Sequence, residues 1–451
     1  MAITRVFIAN RGEIALRVVR ACRALGIESV VAVSTADRDG KAAQLADRAV
    51  CVGGPRVAQS YLNQPALIAA ALGTGCDAVH PGYGFLAENP TFADACTAEG
   101  LTFVGPPGDT IRAMGNKLAA REIAREAQVP IVPGSPHVRQ VEDVLAAAED
   151  IGYPLLIKAA AGGGGRGIRV VHEAAELEPS FRSASGEAES AFGDGSVYLE
   201  RYVERGRHIE VQILADHHGN VVHLGDRDCS MQRRYQKIIE EAPASLIAPA
   251  VQDGLRAAAV ALAQRIGYRN AGTVEFIYDE DREEFFFLEM NTRIQVEHPV
   301  TEEITGVDLV QWQLRIAGGE ALDFSQDDVR FEGHAIECRI TAEAAHDGFR
   351  PSPGRIERWE RPDAEGVRLD SHMEAGAVIP PFYDSLMGKL IVRGVDRDDA
   401  VRRTLEAIRS FDVGGVDTTL PFLEALVSSE AFRSGDFHTR WVEGHLESLI
   451  G

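Results

Sequence analysis

Two apolar runs, each interrupted by one glutamate, constrain this chain more than any other feature. Thr273 to Tyr278 carries Glu275, Phe285 to Met290 carries Glu289, and the charged stretch Asp279 to Glu284 separates them. Apolar runs of this kind bounded by a polar turn form a hairpin. With the turn centred near residue 282, positions 275 and 289 fall opposite one another, their Cα atoms roughly 4.5–5.5 Å apart. Two carboxylates so placed repel, and a divalent cation that prefers oxygen ligands, in practice Mg2+ beside phosphates, satisfies both. A register displaced by one residue would instead send the acids to opposite faces, one of them into solvent.

From Glu289 onward every odd position is polar: Glu289, Asn291, Arg293, Gln295 and Glu297, with Met290, Thr292, Ile294 and Val296 between them. Side chains alternate faces along extended chain, so the five share one side. Eight steps at roughly 3.3 Å per residue cover about 26 Å, too far for one small site. The chain is therefore expected to bend after the hairpin. Phe285 to Leu288 and Pro299 flank the uncharged side, which favours a buried wall facing a cleft over a solvated amphipathic strand.

At 451 residues the chain is long enough for about three domains. Its 46 Lys plus Arg against 68 Asp plus Glu leave a formal charge of −22. Such a surface repels nucleic acid and anionic membrane, and neither is an expected partner. No run approaches the roughly 18–20 uncharged apolar residues of a membrane span, and Arg5, Arg11 and Glu13 interrupt any signal-like segment. The six cysteines (Cys22, Cys51, Cys76, Cys96, Cys229, Cys338) include no C-x-x-C pair. They are expected to be reduced thiols of a cytoplasmic protein, most of them in the core.

The first third alternates strand and helix signals. Arg5 to Ala9 is followed by Ile14, Val18, Val19, Cys22 and Leu25 at helical spacing, stopped by Gly26. Further strands are expected at Ser29 to Val33, Ala49 to Val52, Asp77 to Val79 and Leu101 to Val104, with a helix at Pro65 to Leu72. The resulting parallel sheet is Rossmann-like in layout only, because Asn10-Arg11-Gly12-Glu13 replaces the glycine fingerprint of dinucleotide sites. Pro130, Pro133, Gly134 and Pro136 mark a boundary, giving domains at 1–130, 131–204 and 205–451.

In the second of these, Leu155 to Lys158 and Ile168 to Val171 read as strands joined by Gly162 to Gly167. The loop is no Walker A motif, since Ile168 stands where Lys-Ser/Thr should begin, but its open backbone N–H groups suit phosphate oxygens. Lys158, ending an apolar strand beside it, favours that reading over a bare hairpin tip. Three more groups stand out. Gln232 to Lys237 is a basic cluster whose bland reading is a solvated turn; His208 lies in an alternating strand, where a lone histidine is more often structural; Arg339 is a cation in an apolar strand and calls for an anion.

Taken in order, these motifs resemble the biotin carboxylases of the ATP-grasp superfamily. The likeness covers Ile8 to Ala15, His80 to Leu86, the glycine loop, Met231 to Pro243, Glu289 to Pro299 and Tyr383 to Leu390; the run 289–299 is its most specific part. It implies an α/β and α+β chain with a Rossmann-like N-terminal domain, ATP-grasp central domains and a biotin carboxylase C-terminal domain.

The same resemblance assigns the candidate residues. Lys117 and Lys158 would bind nucleotide phosphates under a mobile lid formed by Gly164, Gly165, Arg166 and Gly167. Glu200, Arg201 and Val203 would receive the adenine, with His208, Gln232 and Ile277 also at the nucleotide. Glu275, Glu289 and Asn291 would hold Mg2+, or Mn2+ in its place. Lys237, Arg293, Gln295 and Val296 would form the bicarbonate pocket, Glu297 would be the general base, Arg339 the cation stabilising the biotin enolate, and Tyr83 a neighbour of the biotin ring. Tyr235 stands where free-standing bacterial members usually carry His, and Arg201 where Lys is usual.

The activity implied is ATP- and bicarbonate-dependent carboxylation of biotin through carboxyphosphate, the first half-reaction of acetyl-CoA or another acyl-CoA carboxylase in fatty acid synthesis or acyl-CoA metabolism. Pyruvate or another acceptor is the alternative. A ligase activating a different carboxylate would not need Arg339 together with the 289–297 run, and a regulatory protein with a dead site would not need the full set of acids, base and metal ligands. Implied partners are a biotin carboxyl carrier protein, carboxyltransferase subunits and a second copy of this chain. No methionine is followed by Lys and the chain ends at Gly451, so biotin is expected on a separate carrier.

Overall fold

The computed structural model describes residues 3–159, 168–192 and 194–450. They divide into two compact units, one formed by Met1–Val129, Arg207–Phe276 and Glu289–Gly451, the other by Pro130–Gly206 and Ile277–Leu288. The hairpin tip thus belongs with the second unit, a partition that no composition change signals.

In the first unit, a five-stranded parallel sheet runs in the order Arg48–Gly53, Glu28–Ser34, Arg5–Ile8, Ala78–His80, Thr102–Phe103. Crossover helices Gly12–Leu25, Gln64–Gly73 and Pro90–Ala98 connect its strands. The helix after the first strand ends at Gly26 with φ 69°, the left-handed conformation that glycine adopts without strain. Asn10 explains the departure from a dinucleotide fingerprint: its Nδ2 donates to the carbonyls of Pro81 and Tyr83, both at 2.7 Å, fixing the loop after the fourth strand of the chain. Arg11 donates Nη2 to Asp37 at 2.9 Å and packs 4.1 Å over the Tyr383 ring.

An eight-stranded sheet follows, in the order Glu284–Asn291, Asn270–Asp279, Gly206–Ala215, Val221–Arg233, Gln236–Ala242, His334–Thr341, Leu386–Gly394, Val367–Ser371. Alternate residues of its later strands separate apolar from ionic chemistry. Ile336, Cys338 and Ile340 enter a core with Leu390, Val401, Phe422 and Leu426, while Glu337 and Arg339 take the other face, as the period of a strand requires.

The second unit holds an antiparallel sheet, Ile168–Val171, Leu155–Ala159, Val197–Arg201, with helices Val141–Ile151 and Ala174–Phe192. Leu155, Ile157, Val171, Val197 and Leu199 pack with Val144, Leu177 and Phe181. The strand Val197–Arg201 adds a third member to the two expected from sequence. The glycine loop, including Gly164, Gly165, Arg166 and Gly167, lies outside the described residues. Five of the six cysteines are buried and Cys51 is exposed. Among the described residues no helix is long and apolar enough to cross a membrane.

Candidate active site

The centre is an ionic network on one face of the large sheet. Lys237 is the second residue of the strand Gln236–Ala242, after a tight turn in which Arg234 and Tyr235 both adopt positive φ, 49° and 64°, the backbone hand that matches strand twist. Tyr235 is 95% exposed, whereas the Lys237 ammonium turns inward and donates to Glu210 at 2.6 Å, Glu297 at 2.7 Å and Glu275 at 3.0 Å. The solvated-turn reading therefore fits residues 234 and 235 but not Lys237. Gln232, paired across from Lys237, is buried and donates to the Cys229 carbonyl at 2.8 Å.

Glu297 precedes the helix His298–Thr305 and is fully buried. One oxygen accepts from Lys237, the other from Arg339 Nη2 at 2.8 Å. Burial opposes its charge, but Lys237, Arg339 and Arg227 together hold the carboxyl well below the usual carboxylate range. Arg339 also donates Nε to Glu240 at 2.6 Å. The anion expected for Arg339 is thus two carboxylates.

Glu275 is likewise held well below its ordinary value, against burial, by Lys237 and His208. Its Oε1 accepts from Lys237, from Asn291 at 2.9 Å and from Gln295 at 2.9 Å; His208 Nε2 lies 3.1 Å from Oε2. Glu289 is exposed, and its carboxyl is raised by partial desolvation and then by the charge of Glu275, with Lys117 opposing. The charge of Glu275 thus acts on Glu289 from the adjacent strand of the hairpin. Hard oxygen donors from Glu275, Glu289 and Asn291 fit a Mg2+ ion.

Beyond Asn291 the simple alternation fails. The strand ends at Asn291, and residues 292–297 turn before the helix. The bend lets Arg293 gather its neighbours, donating to Asn291 Oδ1 and Gln295 Oε1, both at 2.9 Å, and to Glu88 at 2.8 Å. The Val296 carbonyl accepts from Lys389 at 2.8 Å. Lys389 lies 3.2 Å from Glu13, which also accepts the Tyr83 hydroxyl proton. A polar chain therefore joins Tyr83 to Val296.

The second unit holds its own candidates. Lys158 pairs with Glu200 and faces Tyr198 across the sheet. Arg201 donates to Glu284 at 2.8 Å. A Cβ added to Gly206 would fall 2.5 Å from Ile277 Cδ1 and 3.2 Å from Val203 Cγ1, so Gly206 lets Val203 and Ile277 converge.

Sequence reasoning missed Glu210, Arg227, Glu240, Glu88, Glu13 and Lys389. Arg227 has no exposed surface and pairs with Glu210 while donating to Gln212 at 2.8 Å and Thr301 at 2.9 Å. Removing one partner of a pair so buried costs roughly 3–5 kcal/mol. Glu210 alternates with apolar Ile209 and Val211, the same signal that picked out Glu275.

Family comparisons cover nearly the whole chain. Residues 2–111 match the biotin carboxylase N-terminal domain, 116–325 the ATP-binding domain of the carbamoyl-phosphate synthase L chain, and 337–444 the biotin carboxylase C-terminal domain. Biotin carboxylase 1 of Bacillus subtilis is 50% identical over 442 residues, 98% of each chain. The chain belongs to the biotin carboxylase family. It is accordingly an ATP-dependent ligase, and ligases of this family use ATP with Mg2+. A pyruvate carboxylase component from Methanothermobacter thermautotrophicus is also 50% identical, over 99% of this chain and 91% of that one. Among solved structures, the biotin carboxylase domain of a thermophilic 2-oxoglutarate carboxylase, described as bound to bicarbonate, superposes with a TM-score of 0.95 at 45% identity over both full chains. The corresponding Hydrogenobacter thermophilus domain dimer, described with MgADP, ADP and bicarbonate, gives 0.88 at 46% identity, covering 100% of this chain and 99% of that one. The fold class read from the sequence holds.

Proposed function

We propose that this biotin carboxylase transfers carboxyl groups from bicarbonate to biotin on a separate carrier protein, as the first half-reaction of an acyl-CoA carboxylase, with acetyl-CoA the leading acceptor. The observation that carries the reading is Glu297, a buried carboxylate held between Lys237 and Arg339. A base, a cation for a small anion and a cation for a developing enolate meet at one residue.

In the resting protein Glu297 is a weak base because two cations face it. Bicarbonate entering beside Lys237, Arg293, Gln295 and Val296 competes for those cations, which raises the proton affinity of Glu297. Glu297 then takes the bicarbonate proton, and the freed oxygen attacks the γ-phosphoryl group in line, giving carboxyphosphate and ADP. Mg2+, when bound by Glu275, Glu289 and Asn291, neutralises phosphoryl charge. Lys117 and Lys158 meet the phosphates; His208, Gln232, Glu200, Arg201, Val203 and Ile277 serve the rest of the nucleotide.

Carboxyphosphate divides into CO2 and phosphate, and the phosphate removes the proton from the biotin ureido nitrogen. Arg339, fixed by Glu240, offers preorganised charge to the enolate, which attacks CO2. Tyr83, whose hydroxyl is kept protonated by burial and by Glu13, lies beside the ring.

The similarity to a pyruvate carboxylase component supports a second reading, in which a 2-oxo acid is the acceptor. Labelled bicarbonate tests both. ATP-dependent label on a biotinylated carrier is expected, and none would overturn the reading; chase with acetyl-CoA or pyruvate and the matching carboxyltransferase separates the acceptors. A homodimer, by analogy with the dimeric domain above, predicts twice the chain mass in sedimentation.

A further inference from the structure

Behind Arg339 lies a second pair of acids that the proposed chemistry does not use. Glu240 and Glu337 stand directly opposite one another on adjacent antiparallel strands, and both have no exposed surface. Opposed side chains of such strands share a face and lie close together. Three of their four oxygens, Glu240 Oε2 and both oxygens of Glu337, are buried with no hydrogen-bond partner among the described residues. Two ionised carboxylates with no donor at their facing oxygens repel strongly in a dry interior, and one proton supplies the missing donor.

We propose that Glu240 and Glu337 form a buried carboxyl dyad sharing a single proton, and that this dyad positions Arg339. The inference rests on the enolate-stabilising role of Arg339 given above. The proton resides mainly on Glu337, because Glu240 already accepts from the Arg339 guanidinium. Burial pushes Glu240 up to about 7 against the pull of Arg339, and lifts Glu337 well above the ordinary carboxylate range.

The surroundings support one proton. On the same face Lys389 stands opposite Arg339 in register, and it is shared with Glu13 and Val296. Glu297 and, through Glu240, Lys237 act on the pair. The helix His298–Thr305 packed over it brings His298, held well below its usual range by burial and Lys389, and Glu302, already paired with Arg17 and Arg368. Asp370 pairs with Arg368. On the far face, the helix Arg397–Ser410 presents Ala400, Val401, Thr404 and Ala407, none of them charged. A neutral Glu337 leaves Arg339 facing Glu240 and Glu297 alone, so its cationic field survives. An ionised Glu337 would cancel it and draw the guanidinium back.

Infrared spectra of the full chain, with and without 13C-labelled glutamate, test the dyad without reference to biotin. A protonated-carboxyl carbonyl band that shifts on labelling should be present at neutral pH and lost in Glu337→Gln; an unchanged band in the variant overturns the dyad. The positioning role is read from pH profiles. Wild-type biotin carboxylation should fall on the alkaline side before bicarbonate-dependent ATP cleavage does, and Glu337→Gln should move that limb to higher pH. Coincident limbs in the wild type, which need no variant to be measured, would overturn the positioning role. Absence of biotin carboxylation altogether would fault the parent reading, while the infrared band would still decide the dyad.

Discussion

Lys237 Nζ lies 2.7 Å from Glu297 Oε1, so the cation assigned to bicarbonate and the assigned base neutralise each other before substrate arrives. Substrate charge then becomes the trigger for basicity. Glu297→Gln keeps the size and a hydrogen-bond acceptor for Lys237 but removes the base. Biotin carboxylation should fall by about 10²–10⁴-fold with ATP affinity within a few fold, as initial rates and nucleotide titration would reveal. Near-normal turnover would remove Glu297 from the mechanism.

Arg339→Ala should divide the two half-steps. Biotin carboxylation is expected to drop strongly while some bicarbonate-dependent ATP cleavage persists, because carboxyphosphate forms before the enolate. Equal loss of both would mean that Arg339 organises the whole ionic network through Glu297 and Glu240.

How much of this was legible in the sequence depends on which force placed each residue. The parallel sheet, the hairpin and Gly26 follow from local periodicity and backbone conformation, and all three are found. Glu275 and Arg339 are visible as charges inside apolar strands. Glu240 and Glu337 carry the same mark, yet their pairing depends on register between strands far apart in sequence, which no local pattern encodes. The alternation read through 289–297 stops at Asn291 because the chain turns there and gathers Arg293, Gln295 and Glu297 by tertiary contact.

Mg2+ dependence should report on Glu289. Its carboxyl is raised by desolvation and then by Glu275, so metal binding must overcome a proton at low pH. Glu289→Gln is expected to raise the Mg2+ concentration giving half-maximal ATP cleavage by about an order of magnitude, since one charged ligand is lost. An unchanged Mg2+ titration would exclude Glu289 as a ligand.

Acid stability should depend on Glu241, buried beside His334 at 2.9 Å and Arg397 at 2.7 Å. Against burial, the His334 hydrogen bond and then Arg397 bring its carboxyl down to about 2. A folded value below the unfolded one stabilises the protein above the unfolded value, and that stability disappears as pH falls toward 2. Glu241→Gln should therefore lower unfolding free energy near neutrality by roughly 2–4 kcal/mol and flatten its acid limb in urea titrations. Parallel pH profiles for the two proteins would contradict this.

If bicarbonate, ATP and biotin react in one site, steady-state ADP release by the purified chain must depend on all three. ATP cleavage should be slow, require Mg2+ and bicarbonate and be stimulated by biotin, more strongly when biotin is presented on a carrier that raises its effective concentration. ATP cleavage indifferent to both bicarbonate and biotin would contradict it.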